Sequence, residues 1–213
     1  NDIIITGRAS SPCRGLAGRR WCAMGRDAPP DLSKGLTLVG NEMCPFAQRA
    51  WLALEESGLK YRHCQCELYP KPQWLLDINP NGKVPVLVEE GQPVNESEVI
   101  VDLVVAKAQL DDKDGERTAS WRRIVNEELM PAGRSGQQDR LRAALAELDA
   151  LVVGPFVTGE VFGPAEFSGA PMLQRIFEDG QVPQENRRLH QWWAAVSERP
   201  SFRATKLPKG SYW

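Results

Sequence analysis

The feature that most constrains this chain is a change of pattern at one polar connector. Before Asp111 the sequence alternates short strand-like and helix-like segments, and after Ser120 every apolar pattern is helical. A 213-residue chain divided in this way builds an α/β unit followed by an all-α helical one, and it is long enough to bury a proper core. The connector itself, DDKDGERTAS, is charged and polar and reads as a linker. The expected organisation is therefore an irregular extension over 1–34, an α/β domain over 35–110, the linker over 111–120 and a helical domain over 121–213.

Within the first domain, Leu36-Thr37-Leu38-Val39 reads as a short buried strand ended by Gly40. Pro45 suits the first turn of the next helix, where its missing N–H removes no hydrogen bond, and Gly58 ends that helix. Leu59 to Leu68 predicts a second strand with Cys64 and Cys66 on one face. A short helix opened by Pro72 stops before Pro80-Asn81-Gly82; two strands then flank the turn Glu90-Gly91-Gln92, and an apolar helix runs from Glu96 to Leu110. The order is βαβαββα. In the second domain one helix is expected over Trp121 to Met130, broken at Pro131-Ala132-Gly133, and another over Gln137 to Val153. A third starts at Gly163-Pro164-Ala165-Glu166 and runs to Asp179-Gly180, and a fourth spans Pro183 to Glu198 and is ended by Pro200.

A net charge of −2 gives no general attraction to nucleic acid or to an anionic membrane surface, and no run of 18 apolar residues is present to span a bilayer. Five cysteines without a C-x-x-C pair, together with only two histidines, argue against structural zinc and for thiols in a reducing compartment. Residues 1–34 carry five arginines (Arg8, Arg14, Arg19, Arg20 and Arg26) among Gly, Ser and Pro. That composition fits an irregular extension or, against Asp2 and Asp27, an organelle transit peptide. Cytoplasmic placement is expected in the first case and an organelle in the second.

Cys44 stands between the first strand and the first helix. A cysteine at that point faces unpaired backbone N–H groups and the positive end of the helix dipole, so its ionisation is expected to fall below the ordinary thiol value of about 8.5. On position alone it is either a reactive thiolate or a small residue tolerated at a helix start.

The series Cys44-Pro45-Phe46-Ala47-Gln48-Arg49, then KPQW at Lys71, then NGKVPVL ending at Leu87, then Asn95-Glu96-Ser97 resembles the thioredoxin-like N-terminal domain of glutathione transferases. The Cys-Pro-Phe start is similar to the cysteine-dependent omega and lambda classes. The resemblance implies a catalytic Cys44 with Phe46 beside it. It also implies Lys71 near the glycine carboxylate of glutathione, the Val84 backbone on its cysteinyl part, a cis-proline at Pro85, and Glu96 and Ser97 on the γ-glutamyl end. It further implies Arg175 and Trp213 as acceptor-site candidates. Glutathione is then the co-substrate, and no metal is expected.

Ala47 occupies the place where dithiol relatives of this fold put a second cysteine. The resemblance then implies a monothiol mechanism on small oxidised or glutathionylated substrates, dehydroascorbate among them, with a second glutathione resolving the mixed disulfide. The alternatives are a ligand carrier without catalysis and a relative of chloride intracellular channel proteins. Monomer and homodimer both stay open. Two departures from the family pattern stand out: the stretch from Trp121 to Leu151 reads as short, and GPAEF replaces the usual Ser/Thr-x-x-Asp start.

Overall fold

Strand β2 (Leu36–Gly40) lies inside the sheet, and all but its first residue is buried. It pairs in parallel with β3 (Arg62–Gln65) and antiparallel with β4 (Val86–Glu89), which continues through a tight turn into β5 (Gln92–Asn95). A parallel pair needs a crossover, and α1 (Pro45–Ser57) supplies it, ending at Gly58 with φ of 68° as the glycine predicts. The computed structural model describes residues 21–23, by their backbone, and 29–206.

Alternation along the strands divides the core between two faces. Leu38 and Leu87 join α1, α3 (Ser97–Ala108) and the helical half in one large cluster. Val39, Val86 and Val88 join Cys64, Cys66 and Leu75 beneath the short α2 (Gln73–Ile78) on the other face. Helix α1 is therefore enclosed: it packs on α3 and, across the boundary between the halves, on α7 (Pro164–Glu178).

Four expectations change. Trp21–Ala23, inside the segment read as irregular, forms an edge strand β1 parallel to β3, giving the order β1-β3-β2-β4-β5. The predicted Leu59–Leu68 strand is formed only over Arg62–Gln65: the Cys66 N–H donates to the Gly40 carbonyl at 2.7 Å, and there its neighbour β2 ends. The linker is shorter than read: Asp114 caps α4 (Gly115–Arg123) by accepting the Arg117 N–H at 3.0 Å, so helix begins inside the polar stretch. Pro131 does not break the next helix. A π-helical stretch, Ile124–Leu129, leads straight into α5 (Met130–Ser135) with Pro131 in its first turn. The wider turns ahead of the proline accommodate it where a regular α-helix would clash with its ring.

Beyond α6 (Gln138–Leu151), α7 is buried on every side from Pro164 to Ile176 and forms the axis of the helical half. Its GPAEF start works without the usual Ser/Thr: Glu166 reaches back to accept the Gly163 N–H at 3.0 Å. Helix α8 (Arg187–Glu198) buries Trp192 fully and leaves Trp193 half-buried. Pro200, expected only to stop that helix, also opens a further short one, α9 (Pro200–Thr205).

Candidate active site

Cys44 is the N-cap of α1, in extended backbone, with Pro45 as the first helical residue. Its thiol lies 3.8 Å from the Val84 carbonyl, to which it can donate. The Val84–Pro85 peptide bond is cis, as the resemblance implied; Tyr69–Pro70 is cis as well. The loop leading to Val84 is tied down by buried Asn79, whose amide donates to the Lys83 carbonyl at 2.9 Å and accepts the Asn81 N–H at 3.2 Å.

One cleft of about 410 Å³ gathers the residues named from the sequence: Cys44, Phe46, Lys71, Val84, Pro85, Glu96 and Ser97 all line it. Lys71 reaches it across Gly82, where a Cβ would stand 2.7 Å from Lys71 Cδ, so this glycine (φ 56°) leaves room for the lysine stem. Glu96 is held at φ 69°, a conformation costly for a non-glycine residue and frequent at ligand sites. It presents the carboxylate just ahead of α3, whose first N–H groups and buried Ser97 can take an anion.

Neither acceptor-site candidate is found among the described residues lining the cleft. Trp213 lies outside the described residues. Arg175 is buried within α7 and does not line the cleft; it acts on Cys44 through its charge. Cys64 and Cys66 are both 1% exposed, and burial pushes the Cys66 thiol up to about 11, so the two behave as core residues.

The expectation of a lowered Cys44 ionisation is overturned. Burial raises it, and this outweighs the pull of the Ala47 and Phe46 N–H groups and of the Arg175 and Arg49 guanidinium charges. The helix start acts in the expected direction, but the desolvation that comes with seating it between two halves of the protein is larger.

The sequence reading gave Arg49, Glu98, Asn126 and Ser168 no role. Arg49 is 1% exposed and ties the halves together: it donates to the Ser168 carbonyl at 2.8 Å and to Asn126 Oδ1 at 2.8 Å, and pairs with Glu98 at 3.1 Å. Glu98 also accepts from the Ser168 hydroxyl at 2.6 Å and lies 3.3 Å from Arg122. Burial lowers the Arg49 value to about 10, partly opposed by Glu98, so the guanidinium stays charged near neutrality. A buried ion pair of this kind is tolerated because each oxygen and donor is met. The signal available in the sequence was the arginine five residues after Cys44; its acidic and helical partners are distant in the chain.

Among the described residues no group of histidine, cysteine or acidic side chains is placed to hold a metal, and no helix is long and apolar enough to cross a membrane.

Residues 38–112 match the family model described as "Glutathione S-transferase, N-terminal domain". Over 184 residues the chain is 32% identical to Glutathione S-transferase DHAR2 of Arabidopsis thaliana, covering 78% of this chain and 85% of that protein. It is 26% identical to Glutathione S-transferase omega-1 of Sus scrofa over 88% of both. Glutathione transferase Omega 3C from Trametes versicolor shares the fold, with a TM-score of 0.74 at 24% identity over 86% of this chain and 92% of that one. With the cleft at Cys44 and these relatives together, the chain belongs to the glutathione S-transferase family, as a cysteine-type enzyme similar to its omega and DHAR members.

Proposed function

We propose that this protein is a glutathione-dependent thiol transferase that works through a mixed disulfide on Cys44. The observation that carries the reading is that Cys44, the one thiol among the described residues lining the cleft, shares it with Lys71, Glu96 and Ser97, while Ala47 stands three residues along in α1. Glutathione presents two carboxylates, an ammonium and a thiol. Lys71 meets the glycine carboxylate, Ser97 at the start of α3 meets the γ-glutamyl carboxylate, Glu96 meets the ammonium, and the Val84 backbone meets the cysteinyl amide. Phe46 closes the wall beside the sulfur.

The chemistry balances as two thiol–disulfide exchanges. Cys44 thiolate attacks the glutathionyl sulfur of a mixed disulfide, forming Cys44–glutathione and releasing the other half as a thiolate that takes up a proton. A second glutathione, deprotonated, then attacks the glutathionyl sulfur on Cys44, giving glutathione disulfide and restoring the thiolate. With Ala47 in place of a resolving cysteine, the second step has to come from solution. Dehydroascorbate, reduced by two electrons from two glutathiones, is a substrate consistent with the relatives named DHAR.

Intact-mass measurement after incubation with glutathione disulfide tests the reading. One glutathione adduct is expected on the wild-type protein and none on Cys44→Ser. An adduct that survives the substitution, or undiminished turnover of a glutathione mixed disulfide by Cys44→Ser, would sink it.

A further inference from the structure

Strands β2 and β3 run in parallel as far as Gly40 and Gln65, and one more backbone bond follows, from the Cys66 N–H to the Gly40 carbonyl at 2.7 Å. There the chain of β2 turns away toward α1, yet the ladder gains another rung. The side-chain amide of Asn41 donates to the Cys66 carbonyl at 2.8 Å, as a backbone N–H would in a continuing strand. Its Oδ1 accepts the Met43 N–H at 2.9 Å, the bond that closes an Asx turn. The Asn41 carbonyl accepts the Cys44 N–H at 2.9 Å, so residues 41–44 form a backbone turn as well.

One side chain thus does two things. Its oxygen fixes the shape of the turn that delivers Cys44, and its nitrogen fixes that turn to the sheet. Glu42 and Met43 are exposed, whereas α1 is buried without a break from Ala47 to Leu54, so the turn is the soft part of the segment carrying the sulfur. A longer bond, from the Glu42 N–H to Gln65 Oε1 at 3.2 Å, runs to the same end of β3.

We propose that Asn41 is a positioning residue for the thiol exchange: its amide straps the Cys44 turn to the end of β3 and keeps the sulfur aimed at glutathione in the cleft. The inference rests on the thiol-transferase reading above and adds the residue that aligns its nucleophile. Exchange needs the attacking sulfur in line with the sulfur–sulfur bond it breaks, and a displacement of about 1 Å slows such a step heavily. Asn41 is not among the described residues lining the cleft, so it acts through Cys44 and not on the substrate.

The test compares wild type, Asn41→Ala and Asn41→Ser on the mixed disulfide of glutathione and mercaptoethanol, well below the melting temperature of each. Alanine removes both side-chain bonds; serine keeps an acceptor for the Met43 N–H and loses only the strap. The expected kcat is about tenfold lower in Asn41→Ala and about threefold lower in Asn41→Ser, with the KM for glutathione unchanged in both. Alkylation of the Cys44 peptide by iodoacetamide, at a pH where the thiol is fully ionised, should keep its wild-type rate, because a small reagent needs no alignment with bound glutathione. Equal kcat in wild type and Asn41→Ala would overturn the proposal and leave the thiol-transferase reading intact. A raised KM for glutathione, or alkylation slowed as much as turnover, would overturn it too, by assigning the loss to the binding site or to an occluded sulfur. If Asn41→Ala does not fold, Asn41→Ser decides by the same comparison of kcat with alkylation rate. Wild type without turnover would sink both readings.

Discussion

Helices α1 and α7 pack against each other and begin alike, each with a proline in its first turn and neither with a capping bond from its N-cap side chain. The difference lies in what surrounds each helix start. At α7 the Glu166 carboxylate turns back, fully buried, to accept from the Val157 N–H, the Gly163 N–H and the Trp192 indole at 2.8, 3.0 and 3.0 Å. At α1 the N–H groups of Phe46 and Ala47 are turned toward the Cys44 sulfur, half-buried at a cleft. One helix start is closed by its own chain and serves stability. The other opens on the cleft, where its polarity is available to a thiolate or an incoming ligand.

Four measurements would break or sharpen that contrast. The largest effect is expected at the open end: Cys44→Ser should lower thiol-transfer kcat at least about 10³-fold, with a melting temperature within about 2 °C of wild type. A large loss of stability there would mean that Cys44 is structural after all. At the closed end the order reverses. Glu166→Ala strands three buried donors, each worth about 1 kcal/mol or more, so thermal denaturation should show a loss of about 3 kcal/mol with kcat of the folded fraction unchanged.

A smaller loss is expected along the same helix at Gly169, where a Cβ would stand 2.2 Å from the buried indole nitrogen of Trp121. Alanine would gain about 1 kcal/mol of helix propensity but would overpack at a cost of about 1–3 kcal/mol, so Gly169→Ala should be net destabilising in urea unfolding. The finest test concerns protonation. Because burial raises the Cys44 ionisation above that of an ordinary thiol, alkylation of the Cys44 peptide by iodoacetamide should still be climbing where a free cysteine has levelled off. A plateau below the ordinary thiol value would show that the helix start and the two arginines outweigh burial.

Much of the site was legible because its residues lie close together in the chain. Cys44, Phe46, Lys71, Val84, Pro85, Glu96 and Ser97 all fall in one α/β segment, in short motifs whose residue types match the groups of a tripeptide thiol. Gly58 and the Glu90-Gly91 turn marked element ends correctly because the positive φ found at each is a local demand that glycine meets without a side-chain clash. Pro131 was misread for the complementary reason. A proline reads as a break, but a π-helical stretch supported by packing carries the chain through it.

The sequence by itself determined the α/β-then-helical order, which follows from local pattern, and its resemblance to glutathione transferases pointed to Cys44 and to the residues that line the cleft with it. Only the tertiary structure decided how that sulfur ionises and what surrounds it. Burial between two halves is a property of packing, and it reversed the direction expected from the helix start alone. The same packing brought Ser168 and Asn126 to Arg49, and Arg134 to the face of Phe46, across separations in the chain that no periodicity records.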